Sequence, residues 1–223
     1  MSEDLIKFIS LEKLTPYLDE DKNIKKALEL YEWNVKLSEA FYAPLNYFEV
    51  SLRNACNNEM IKERGESWYL DDSLMSGSNS EKGNYAKTKI QSSYQKLVGY
   101  NKKYILDTSI NEIKNGDIIA NLELSFWVNL FVYNYFNNFW NPCLKYVFKG
   151  YNRKVLWNKL NYTRELRNRI FHHENILKFD LNSNYLIILE ILRAISGELE
   201  NKVRQVSNFE CIYNKYLEYK KGK

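Results

Sequence analysis

Turn formers are scarce in this chain of 223 residues, which has 3 prolines and 8 glycines. That is too few for an architecture of many short strands and tight turns, so long helices are the expected alternative. Histidine is scarcer still: the chain has 2, His172 and His173, side by side. Cysteine is limited to Cys56, Cys143 and Cys211. They are odd in number, widely separated and without a CxxC pair. With no signal peptide, this reads as buried free thiols in a reducing cytoplasm. Long apolar runs are missing too. The richest, residues 185–195, carries Glu190 and Arg193, and no membrane span is expected. Two histidines, three scattered cysteines and no compact carboxylate cluster offer no ligand set for zinc or magnesium. No metal or other cofactor is expected.

What is plentiful is aromatic and charged. Aromatic residues make up 15% of the chain, 18 of them tyrosines. Such rings suit nucleobase stacking, but most fill core and half-buried surface. Net charge is only +4 and does not by itself announce a polyanion binder. Its distribution says more. Between residues 145 and 169 lie Lys145, Lys149, Arg153, Lys154, Lys159, Arg164, Arg167 and Arg169 against the single acid Glu165. This run leads straight into the histidines, as a phosphate-binding surface would. A second basic run, from Lys82 to Lys103, reads as a solvated helix face.

Apolar spacing predicts helices throughout. Residues 1–20 form an arm or cap ending near Pro16, and residues 21–223 form a single domain interrupted by a mobile loop at 71–84. Ile24, Leu28, Tyr31, Val35, Leu37 and Phe41 mark one helix, and Pro44 kinks or restarts it. Leu45, Phe48, Leu52, Cys56 and Met60 continue it to Gly65. Helices are expected at 85–100 and 108–115, in the aromatic segment 122–140 closed by Asn141-Pro142, and at 155–177. Another is expected at 185–199, capped by Asn182 or Ser183 and central to a bundle, and a last one at 209–219. No stretch reads as a strand. The fold class is all-α, one domain around a helical bundle.

On the 155–177 helix, Leu156, Leu160, Thr163, Leu166, Ile170 and Leu177 share one stripe. His173 falls on that stripe and is expected to point inward or to the bundle edge as a hydrogen-bonded structural residue. Asn168 and His172, four apart, share the opposite side, extended by Arg164 and flanked by Arg167. Histidine exchanges protons near neutral pH. Arginine offers phosphate a planar fork and can stabilise charge in a transition state, and Asn168 can orient either. The set has no nucleophile of its own, so the substrate must bring one. RNA does, in its 2′-hydroxyl.

The string LRNRIFHHENIL (residues 166–177) resembles the signature of the Abi-like (abortive infection) proteins, a branch of the HEPN ribonuclease superfamily. Trp33-Asn34, AFYAPLNYFEVSLRNA (residues 40–55) and GDIIANLELSFWVNLF (residues 116–131) fit the same family in order. The resemblance implies a HEPN-type helical bundle and metal-independent endoribonuclease activity in phage defence or a toxin-like system. It implies that Arg167, Asn168 and His172 are the catalytic residues and that two motifs meet across a dimer. Arg153, Lys154, Lys159, Arg164 and Arg169 are the candidate RNA-binding residues. His173 and Glu174 continue the string without a clear chemical task.

Glu49, Arg53 and Asn54 echo the later Leu-Arg-Asn, but the position five beyond Arg53 is Asn58, not histidine. The simpler reading is a Glu49–Arg53 ion pair along one helix, ahead of a supporting role at the active site. With one complete motif per chain, a composite site needs a second copy, and a homodimer with the Asn168/His172 face near its twofold axis is expected. RNA is the expected partner, with tRNA or a small structured RNA as candidates. Two other readings compete. One is a catalytically silent protein that holds a small partner RNA. The other is a protein-interaction subunit of a toxin–antitoxin pair, presenting segment 122–140 as an exposed interface.

Overall fold

The structure, a computed structural model, describes residues 7–71, 85–98 and 115–222. The expected loop at 71–84, save Asp71, and the expected helix at 108–115, save Asn115, lie outside the described residues. Everything regular in the described residues is helical, with no strand.

A short α1 (Leu11–Leu14) and a 3-10 turn at Thr15–Tyr17 form the arm. Asn23 then caps α2 (Ile24–Ala40) by accepting from Lys26 N at 3.1 Å. The chain restarts as α3 (Tyr42–Arg64), with Pro44 in its first turn, where a missing N–H costs no helical bond. The expected restart is therefore observed. Gly65, at φ 83°, ends α3 in a backbone region open to glycine. Next come α4 (Tyr85–Val98), α5 (Asn115–Ala120) and α6 (Leu124–Asn129).

Segment 122–140 departs from expectation at its end, and its burial goes against the competing interface reading alone. Pro142 does not close its helix but lies inside a π-helix, Phe136–Leu144, that runs into a further turn at Lys145–Val147. The wider π turn relieves the clash a proline ring makes in an α-helix. Arg64 donates to the Asn138 carbonyl, four residues before Pro142, at 3.1 Å. Nor is the segment an exposed interface. Phe126, Trp127, Phe131, Tyr135 and Phe139 are buried in the main core, and Tyr133 is the exposed large ring.

The motif helix is α7 (Arg153–Phe171). It is followed by α8 (Leu181–Ile195), capped by Asp180, which accepts from Ser183 N at 2.9 Å. This cap lies two or three residues earlier than expected because an aspartate there outcompetes Asn182 and Ser183. As expected, α8 is central: Ile188, Ile191 and Leu192 are fully buried, and the helix packs along α3 and beside α7. Two further helices complete the chain, α9 (Gly197–Val206) and α10 (Phe209–Lys221), and α10 lies against α2. A run of rings, Phe41, Phe209, Tyr213, Tyr216 and Trp33, joins those two elements at centroid distances of 4.5 to 6.5 Å. Between α8 and α9, Glu200 receives hydrogen bonds from Arg193 and then Arg204, which hold its carboxyl down at about 2. Cys56 and Cys143 are buried as expected, but Cys211 is exposed, because α10 turns that position to solvent. Among the described residues, no helix is long and apolar enough to cross a membrane.

Candidate active site at the end of the motif helix

The stripe drawn from the sequence is real over most of α7. Asn152 caps the helix by accepting from Lys154 N and Val155 N, and Leu156, Leu160, Thr163 and Leu166 are fully buried. The helix, however, stops at Phe171 rather than continuing to residue 177. His172 is its last cap, its N–H bonded to the Asn168 carbonyl at 2.9 Å. His173 then enters the left-handed region at φ 56°. Its N–H goes to Ile170 O at 3.0 Å, and the Glu174 N–H reaches back to Arg169 O at 2.8 Å. Those two bonds are a Schellman stop, with histidine where glycine usually sits. A non-glycine residue there costs on the order of 1–3 kcal/mol, so the surroundings must hold it.

They do. Asn34 of α2, buried, accepts from Ile176 N at 2.7 Å and donates to Glu174 O at 3.2 Å. Lys13 of the arm donates to His173 O, and Asn175 donates to Pro16 O at 3.1 Å. Of the two placements expected for His173, the inward one is wrong: past the helix end the stripe no longer applies, and His173 is exposed. The sequence reading also missed Asn34 as a clamp. The signal was there, an asparagine on the inward side of an otherwise apolar pattern.

His172 is exposed, one turn beyond Asn168 and next to Phe171. Arg167 is half-buried and held from three sides. Its Nε donates to Glu49 at 3.3 Å, its Nη1 lies 3.5 Å from Asn168 Oδ1, and its guanidinium sits 4.2 Å from the centre of the Phe171 ring. Glu49 therefore does not form the expected pair with Arg53. Arg53 turns instead to Asn54 Oδ1 at 3.3 Å and to the Ala120 carbonyl at 3.5 Å. The fold brings Arg167 of α7 within reach of Glu49, and this tertiary pair outcompetes the local one, since a solvated helical ion pair is weak. Glu49, Arg53, Arg167, Tyr42 and Phe171 line one cavity of about 280 Å³. Three of Arg167's five donors remain for an anion after Glu49 and Asn168 have taken theirs.

The basic run is less open than it looks in sequence. Lys159 is bound by Glu190 at 2.6 Å. Burial pushes the Glu190 carboxyl up, but hydrogen bonds from Lys159 and Tyr151 more than offset it, so its net shift is downward. Arg169 pairs with Glu174 at 2.5 Å and stacks over Phe179, which gives Glu174 a task. Arg164 donates to Asn161, and Arg153 donates to Phe131 O while lying over Tyr133. Lys154 is exposed. Arg153 and Lys154 sit at the far end of α7, about 27 Å from His172 at a rise of about 1.5 Å per residue. The structure thus joins Arg167 to Asn168 and Glu49, sets Arg53 in the wall of the same cavity, leaves exposed His172 at the helix end one turn beyond Asn168, and holds Arg153, Lys154 and Lys159 apart. Among the described residues, no group of His, Cys, Asp or Glu could hold a metal ion.

A family model described as Abi-like protein matches residues 5–178. The chain belongs to the Abi-like family. The match takes in the arm, the Asn34 clamp, the Glu49–Arg167 pair and the whole turn around His172. Membership of the Abi-like family points to a role in abortive infection, that is, in phage defence. Neither a search of curated proteins nor one of solved structures returned a match.

Proposed function

We propose that this Abi-like protein is a metal-independent endoribonuclease of the HEPN type, with Arg167, Asn168 and His172 as its catalytic residues. The observation that carries the reading is the helix end. A clamped Schellman turn leaves His172 exposed at the helix end, one turn beyond Asn168 and five residues after an arginine that Glu49 and Phe171 hold in place. A Schellman stop is a common helix end; what supports the reading is that this one carries a non-glycine residue at positive φ, and such strain clusters at functional sites.

The chemistry comes from the groups themselves. The 2′-hydroxyl of one nucleotide attacks the adjacent phosphorus and loses its proton, and the bond to the 5′-oxygen of the next nucleotide breaks. That oxygen takes up a proton. The products are a 2′,3′-cyclic phosphate and a free 5′-hydroxyl, with charge and atoms balanced and no water consumed. His172 serves one proton transfer. Arg167 forks onto the phosphate oxygens as charge builds there, and Asn168 orients the arginine. By the HEPN resemblance two motifs meet at one site, which assigns the second proton transfer to a second motif, and the chain has one complete motif. The working form is therefore a homodimer, with His172 of the two copies facing one scissile phosphate.

Incubating the protein in EDTA with total bacterial RNA or tRNA tests this. Fragments ending in cyclic phosphate, lost in His172→Ala and Arg167→Ala, are expected. Cleavage unchanged in His172→Ala would overturn the assignment. RNA bound tightly but never cut, with affinity surviving His172→Ala, would mark a silent RNA-binding protein instead.

A further inference from the structure

Beside the Arg167 cavity lies a larger one, of about 570 Å³, between α2, the first residue of α3 and the end of α7. This is the size of a small-molecule site. Val35, Ser38 and Glu39 of α2 form one side, Phe171 and His173 the other, and Tyr42 closes the end. Tyr42 and Phe171 also line the Arg167 cavity, so the two spaces share a wall of aromatic rings. Both rings are costly to leave in water: Tyr42 is 65% exposed and Phe171 48%. Neither the Tyr42 hydroxyl nor the Glu39 carboxylate has a hydrogen-bond partner among the described residues, so an acceptor and a donor stand ready at the rim.

We propose that this groove is a nucleobase subsite: it takes one unstacked purine of a single-stranded RNA, adjacent to the phosphate held by Arg167. The proposal rests on the nuclease reading for the position of that phosphate. Three features favour a base over an apolar partner. The walls are aromatic faces, on which single-stranded bases stack whatever their sequence. The groove opens next to the Arg167 cavity, so an occupant carrying a phosphate satisfies both spaces at once. A carboxylate at the rim would be a liability against an apolar surface but accepts hydrogen bonds from a base edge. Guanine is the best match, because its N1–H and N2–H present two adjacent donors to one carboxylate. Adenine offers only its N6 amino group there, and uracil only N3–H.

The test reads binding apart from cleavage. Short single-stranded RNAs identical except for one position, carrying guanine, adenine, uracil or no base, are titrated by fluorescence anisotropy into the His172→Ala protein. Guanine is expected to bind about tenfold or more tightly than the abasic RNA. Adding Tyr42→Ala should erase that ratio, and Tyr42→Phe should keep it. Glu39→Gln should remove the preference for guanine over adenine while leaving either base tighter than none. Equal affinity for guanine and abasic RNA, or a ratio unmoved by Tyr42→Ala, overturns the subsite, as does a lack of RNA binding altogether. So does a change of the RNA-free protein from dimer to monomer in Tyr42→Ala, which would make the groove a contact between copies. The nuclease reading fails separately. If the wild type cuts no RNA yet the base ratios hold, the subsite stands without it. If cutting depends on His172 but no base is preferred, the nuclease stands and the subsite falls.

Discussion

The chain contains the tripeptide Leu-Arg-Asn twice, at Leu52-Arg53-Asn54 in the middle of α3 and at Leu166-Arg167-Asn168 near the end of α7. Both leucines are fully buried, and both arginines line the same cavity. The two copies differ in how their helices continue and in which side chains face the arginine. After Arg53, α3 runs on to Arg64, and position 58 is an asparagine turned along a continuing helix. After Arg167 the helix stops within one turn, and the stop places an imidazole at its open end. Glu49, closer in sequence to Arg53, is given to Arg167. The same three residues lie within a continuing helix in one place and beside the proposed site in the other, and the helix end makes the distinction.

Several substitutions would break or sharpen this contrast. The largest effect is expected from His172→Ala, a loss of cleavage of about 10²- to 10⁴-fold, with an unchanged melting temperature because the side chain is exposed. Arg167→Ala should cost about 10²- to 10³-fold, while Arg53→Ala costs less than about threefold. Equal losses on the same RNA would erase the distinction between the two segments. Glu49→Gln should lower the cleavage rate about tenfold by loosening Arg167 and leave Arg53's contacts in place, read as a drop in kcat with little change in melting. Asn34→Ala removes both bonds that clamp the turn and leaves a buried amide without its acceptor. A loss of about 1–3 kcal/mol in denaturant unfolding is expected, together with weaker cleavage. His173→Gly should relieve the left-handed backbone and raise stability by about 1 kcal/mol with cleavage retained. Lost cleavage there would give His173 a chemical role that its exposed, strained position does not require.

The all-α class, the restart at Pro44, the central α8 and the buried stripe of α7 were legible because they rest on spacing and on proline's missing donor. The α7 end was not, because glycine is the usual marker of a left-handed stop and here histidine takes its place, held by contacts from residues 13, 16 and 34. Glu49's partner was hidden for a related reason. Local spacing favours Arg53, and only the tertiary fold brings Arg167 within reach. The basic run read as an open surface because Glu190, which binds Lys159, lies 31 residues away in sequence. That Arg167 and Asn168 share one helix, with His172 one turn beyond Asn168, was legible from spacing alone and does not depend on where that helix ends.

The most direct test compares wild type, His172→Ala and Arg53→Ala on one defined RNA in EDTA, with melting curves from the same preparations. The account predicts cyclic-phosphate fragments from wild type and Arg53→Ala at similar rates, and none from a fully folded His172→Ala. Fragments from His172→Ala at the wild-type rate would contradict it.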